Sequence, residues 1–137
     1  MKYLLDSNIC IHVMRGRTDI EQKINRIGLH NCYISEITKA ELIYGAECSN
    51  NREANLALVH AFCEYFSILP ISNVIDEYAK QKSRLRRLGL QIEDADLFIG
   101  CTAKVYDLVM ATENIKHLGR IEGIVIENWA DSATNKH

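Results

Sequence analysis

The chain has 137 residues, a length that suits one domain and buries roughly 70% of the surface exposed by the unfolded form, enough for a real core. Hydrophobic residues make up 47% and charged residues 25%, which excludes a disordered chain. The formal net charge of -2 excludes a polyanion binder acting through its overall field, so nucleic-acid contact would need local patches or a bound cation.

Tyr3 to Leu5 reads as a short buried strand stopped by Asp6, too brief for a signal peptide. Ile9 and Val13 then mark a helix. Cys32 to Ile34 reads as a second strand, followed by Ile37, Ala40 and Tyr44 at helical spacing. Leu56, Val59, Phe62, Cys63 and Phe66 form another helical stripe, and Ser67 to Ile71 a third strand. Ile75, Tyr78, Ala79, Leu85 and Leu88 predict a helix ending at Gly89 as its C′ glycine. Leu97 to Val105 is apolar nearly all round, as a buried central helix is. Leu108 to Ala111 and Ile124 to Ile126 complete the strands. The strand runs are continuous rather than alternating, which suits strands covered on both faces.

Strands alternating with helices predict an α/β fold with right-handed crossovers and a central parallel sheet of about five strands flanked by helices. Pro70 is the single proline and no Gly/Ser-rich linker interrupts the chain. One domain over 1–130 is therefore expected, with 131–137 as a flexible tail. The five cysteines are widely spaced and contain no C-x-x-C pair, which reads as reduced thiols, mostly buried. No segment approaches the roughly 20 apolar residues of a membrane span, so a cytoplasmic location with no membrane contact is expected.

In parallel sheets, ligands bind beyond the carboxyl ends of the strands. Asp6 follows the first strand, where it reads as a site carboxylate or as a helix N-cap. Glu41 lies in the helix after the second strand. Thr38-x-x-Glu41 fits a capping box, whereas a helix start at Ser35 frees Glu41 from that job. Asp96 opens the apolar helix, where the helix dipole favours an acid but burial demands a partner or cation. Asp94 points to the opposite side of that helix and does not share its ligand. Asn114 follows the fourth strand as a turn residue, a cap or a neutral oxygen donor. Clustered carboxylates raise one another's pKa values and a cation removes that penalty, with all-oxygen ligands favouring Mg²⁺ or Mn²⁺ over zinc.

These residues carry a family pattern. Leu5-Asp6-Ser7-Asn8, Ser35-Glu36-Ile37-Thr38-x-x-Glu41-Leu42-x-x-Gly45, Asp96-x-x-Ile99-Gly100, Ala111-Thr112-x-Asn114 and the closing Ile121-x-Gly123-Ile124-x-Ile126-Glu127-Asn128-Trp129 resemble PIN-domain proteins. The closest likeness is to VapC-type toxins of VapBC toxin–antitoxin systems. It runs from residue 2 to about Trp129. It implies a three-layer PIN-like fold and a metal-dependent endoribonuclease, with Asp6, Glu41 and Asp96 around Mg²⁺ or Mn²⁺ and Asn114 as a fourth catalytic position. Ser7 stands where the family usually has Thr. Asn114 stands where many PIN domains have Asp, which leaves a second metal open. A homodimer and a VapB-like antitoxin are the implied partners, with Tyr44, Leu58 and Phe62 as candidates for the antitoxin groove.

For the RNA, the basic run Lys80, Lys82, Arg84, Arg86 and Arg87 precedes Asp96, and Lys80, Arg84 and Arg87 share a helical face. It reads as a phosphate rail or as a solvated charged face. Ser7 and Thr112 are further candidate substrate contacts. Two rival readings stand beside the nuclease: a PIN scaffold that binds RNA or a protein without cutting, and a receiver-like signalling module, which would want a Lys after a late strand.

Overall fold

The computed structural model describes residues 1–129, so the tail expected over 131–137 lies outside the described residues. The elements run β1 (Tyr3–Leu5), α1 (Ser7–Met14), α2 (Thr18–Ile27), β2 (Cys32–Ser35), α3 (Glu36–Glu47), α4 (Arg52–Cys63) and β3 (Ser67–Leu69). They continue with α5 (Ile75–Arg87), α6 (Asp94–Val105), β4 (Val109–Thr112), α7 (Ile115–Leu118) and β5 (Ile126–Asn128). The strands form one sheet in the order β3-β2-β1-β4-β5, and every pairing is parallel. The α/β class and the five-stranded parallel sheet are as the sequence predicts.

Alternation along the central strand builds three layers. Tyr3 and Leu5 belong to a core with Ile9, Ile24, Leu42 and Phe62 on one face of the sheet. Leu4 between them joins Leu97, Ile99, Met110 and Leu118 on the other. Chain order reverses between β1 and β4, because β2 and β3 extend the sheet one way and β4 and β5 the other. That switch opens a crevice at the carboxyl ends of β1 and β4. A receiver-like module has the order 2-1-3-4-5, so the strand order removes that rival.

Several boundaries move for local reasons. The third strand ends at Leu69, not Ile71, because Pro70 has no N–H and the Ile71 amide turns to Glu36 Oε1 at 2.7 Å. The last strand is Ile126–Asn128 rather than 124–126, in register with Met110 to Thr112. Gly89 holds φ +71 after α5, and the Leu90 amide reaches back to the Leu85 carbonyl at 2.9 Å, as a C′ glycine requires. Among the described residues α2 and α7 were not foreseen. In α2 only Ile20 and Ile24 are buried, too sparse a stripe for the apolar pattern to announce. Cys10, Cys32, Cys63 and Cys101 are buried free thiols, while Cys48 is exposed. No helix among the described residues is long and apolar enough to cross a membrane.

Candidate metal centre

Asp6 stands at the switch point as both a cap and a buried carboxylate. It is the N-cap of α1, with Oδ1 accepting from the Ser7 amide at 2.8 Å. Its Oδ2 accepts from the Thr112 hydroxyl at 2.7 Å, so the bond joins the ends of β1 and β4. Only 3% of Asp6 is exposed. Burial pushes its pKa up from 3.8 to about 6; the Thr112 and Ser7 hydrogen bonds oppose the rise, and Asp96 and Glu41 add to it.

The helix after β2 starts at Ser35, whose hydroxyl accepts from the Ile37 amide at 3.0 Å. The capping-box alternative for Glu41 is therefore not used, and Thr38 Oγ1 is buried without a hydrogen-bond partner. Glu41 sits in the second turn and accepts from the Ser7 hydroxyl at 2.6 Å. Asp96 lies in the first turn of α6, half-buried. Its pKa is raised by burial first and then by Glu41 and Glu93, with His117 pulling the other way. Asp94 turns away to Lys82 and Tyr78, each at 2.8 Å, which separates the two aspartates as their spacing predicts. Asn114 follows β4: its amide donates to Thr112 Oγ1 at 2.8 Å, and its Oδ1 meets His117 Nδ1 at 2.9 Å.

Three carboxylates from three separate crossovers thus share one edge of the sheet and act on one another electrostatically. None of the three has a Lys or Arg ion-pair partner among the described residues. Nor do any three Asp, Glu, His or Cys side chains there converge into a ready ligand set. Asp6 and Glu41 are each turned to a hydroxyl instead. The donor set nevertheless fits a hard cation: it is all oxygen, partly desolvated, and uncompensated by protein cations.

The basic run divides between inward and exposed side chains. Arg84 turns inward, donating to the Arg120 carbonyl at 2.9 Å and to Gln81 Oε1 at 3.2 Å. Arg87 bonds Ser83 at 2.8 Å and Lys80 lies 3.9 Å from Glu77; both remain exposed, so of the three only Arg84 is drawn into the fold. Lys82 and Arg86 instead line a recess with Ile92, Glu93 and Asp94. Its neighbour, lined by Gln91, Ile92, Glu93, Asp96 and His117, reaches the acidic edge. His117 was missed from sequence because a lone histidine in a four-residue helix carries no spacing signal.

Of the candidate groove residues, Leu58 lines a cleft with Ile11, Met14, Leu42 and Gly45 that ends at Glu41. Tyr44 stands 71% exposed on the same helix as Glu41, whereas Phe62 is buried and belongs to the core.

A family model for the PIN domain matches residues 3–123. A tRNA(fMet)-specific endonuclease VapC from Salmonella typhimurium is 35% identical over 131 residues, covering 94% of this chain and 98% of the relative. Ribonuclease VapC2 from Haemophilus influenzae is 32% identical with the same coverage. A solved structure of DNA-bound VapBC from Salmonella typhimurium superposes with TM-score 0.88 at 34% identity, covering 94% of this chain and 98% of that one. VapBC-1 from nontypeable Haemophilus influenzae gives 0.84 at 33% identity, covering 95% and 99%.

Proposed function

Since the chain belongs to the PIN domain family, we propose that it is a metal-dependent endoribonuclease, the toxin of a VapBC-type toxin–antitoxin pair. The observation that carries the reading is the arrival of Asp6, Glu41 and Asp96 from three crossovers at the β1/β4 switch point, where burial and mutual repulsion raise Asp6 and Asp96.

Asp6, Glu41 and Asp96 would hold Mg²⁺ or Mn²⁺, which when bound supplies Lewis acidity at the scissile phosphate and lowers the pKa of the attacking water. The chain's own groups do the rest. Thr112 and the Ser7 amide fix the orientation of Asp6. The Ser7 hydroxyl fixes Glu41. The Asp96 carboxylate makes no side-chain hydrogen bond among the described residues, so its oxygens are open to the cation or to the proton of the attacking water.

The cleft ending at Glu41 is apolar along Ile11, Met14, Leu42 and Leu58, and it suits a segment of a VapB-like antitoxin. The Salmonella typhimurium and Haemophilus influenzae matches are toxin–antitoxin complexes, which supports such a partner. Association of two copies of this chain is part of the same reading.

The test is incubation of the purified protein with total tRNA, including tRNA(fMet), in Mg²⁺ or Mn²⁺ and in EDTA. Cleavage that needs the ion and is abolished in Asp96→Asn is expected. Binding of tRNA without any cut under either ion would overturn the nuclease in favour of a scaffold.

A further inference from the structure

The recess beside Asp96 has an unusual hydrogen-bonding character. Glu93 and Asp96 bring carboxylates, Ile92 brings apolar surface, and the Gln91 carbonyl is already taken by Arg120 at 2.7 Å. His117 completes the wall. Its Nδ1 faces Asn114 Oδ1 at 2.9 Å, so in the neutral ring Nδ1 carries the proton and Nε2 carries the lone pair. The tautomer follows from the oxygen of Asn114, which can only accept. Glu93, Asp96 and His117 therefore offer acceptors here, and the Gln91 side-chain amide adds a group that can donate or accept.

A nucleic-acid backbone offers phosphate oxygens and ring oxygens, which are acceptors too. Its one donor is the ribose 2′-hydroxyl, present in RNA and absent from DNA. The recess holds about 270 Å³, several times the roughly 30 Å³ share of one water, which is room for a group larger than a single water. Of the two uncharged polar side chains lining it, the Gln91 amide both donates and accepts, whereas the imidazole has its lone pair fixed by its partner Asn114. It takes a hydroxyl without repelling the flanking phosphates, as Glu93 does. Where water is the nucleophile, the 2′-hydroxyl takes no part in bond breaking, so preference for RNA has to come from binding.

We infer that His117, oriented by Asn114, accepts the 2′-hydroxyl of a nucleotide flanking the scissile bond and thereby makes the site select RNA over DNA. The inference rests on the ribonuclease reading above. His117 is a specificity residue in this account and touches neither phosphorus nor the attacking water. The approach of α7 that places it depends on Gly100, because a Cβ there would collide with Ile121 and press on Leu118.

The experiment uses the tRNA cut by the wild-type protein, reassembled with a single 2′-deoxynucleotide on either side of the mapped cut. In single-turnover assays the deoxy substitution slows wild type about tenfold, the worth of one hydrogen bond. It slows His117→Ala less than about twofold, and His117→Gln, whose amide oxygen also accepts, regains part of the discrimination. Independently of activity, ring ¹⁵N shifts of wild-type His117 show a protonated Nδ1 and a bare Nε2. An equal deoxy penalty in wild type and His117→Ala overturns the inference while leaving the nuclease intact, and so does a ring protonated at Nε2. Failure of wild type to cut any RNA overturns both.

Discussion

Thr112 Oγ1 donates to Asp6 Oδ2 at 2.7 Å and accepts from the Asn114 amide at 2.8 Å, so one buried hydroxyl ties the first strand end to the fourth. Thr112→Val keeps the shape and removes both bonds. Asp6 then loses the strongest bond opposing its protonation, and the Asn114 amide loses its acceptor. The expected cost is about 1–3 kcal/mol in urea unfolding. Mn²⁺ affinity, followed by calorimetry, falls with it, and Thr112→Ser restores both. A valine variant that binds Mn²⁺ like wild type would show that the hydroxyl only packs.

Asp6 also sets a pH response. Its pKa rises from 3.8 to about 6 on folding, chiefly through burial. Below about pH 3 both folded and unfolded chains hold the proton and nothing is lost. As pH rises from there to about 6 the unfolded chain releases its proton first, so stability falls, by about 3 kcal/mol for a shift of this size. Asp6→Asn keeps a capping side chain and carries no charge. Wild type minus variant, from urea midpoints at pH 4.5 and 7.5, isolates Asp6 from Asp96, which shifts in the same direction. The variant is expected to be the more stable protein at pH 7.5 and inactive. Saturating Mg²⁺ at pH 7.5 stabilises wild type alone. Equal pH profiles for the two proteins would contradict the burial argument.

The frame of this site was legible because strand ends in a parallel sheet are fixed by topology. Asp6, Glu41, Asp96 and Asn114 each follow from finding a strand or a helix start, and the family pattern joins them. Ser7 and Thr112 were named too, as substrate contacts; what stayed hidden were the pairings by which they orient these groups. The Thr112–Asp6 bond joins residues 106 positions apart, and the Ser7–Glu41 bond spans 34. No local rule pairs residues at such separations. The inward turn of Arg84 was hidden for a related reason: helical spacing gives a shared face, but whether one guanidinium on it meets solvent or the Arg120 carbonyl depends on packing.

Ser7 makes its own prediction. Its hydroxyl lies 2.6 Å from Glu41 Oε1 at the first residue of α1. Ser7→Ala frees Glu41 to rotate while leaving the backbone amide that donates to the Asp6 cap. Misorientation of one carboxylate is expected to lower the single-turnover rate about tenfold or more, with the urea midpoint within about 0.5 kcal/mol of wild type. Ser7→Thr, which keeps the hydroxyl, retains activity. An alanine variant with full rate and unchanged metal affinity would remove Ser7 from the positioning set.

Arg84 and Arg86 sit on one helix but do opposite things. Arg84 donates to the Arg120 carbonyl and to Gln81 Oε1, and the same oxygen accepts the Glu122 amide at 3.2 Å. Gln81 is only 1% exposed, so losing a partner leaves a buried polar group under-satisfied. Arg84→Ala is expected to cost about 1–2 kcal/mol in urea unfolding and to leave the salt dependence of tRNA binding unchanged. Arg86 is exposed and lines the recess beside Glu93 and Asp94. Arg86→Ala is expected to leave stability within about 0.5 kcal/mol of wild type and to lower the salt slope by about one. Binding measured from low to moderate salt for both variants decides the matter. A reduced slope in Arg84→Ala with wild-type stability would return that guanidinium to the RNA and restore the rail along Lys80, Arg84 and Arg87.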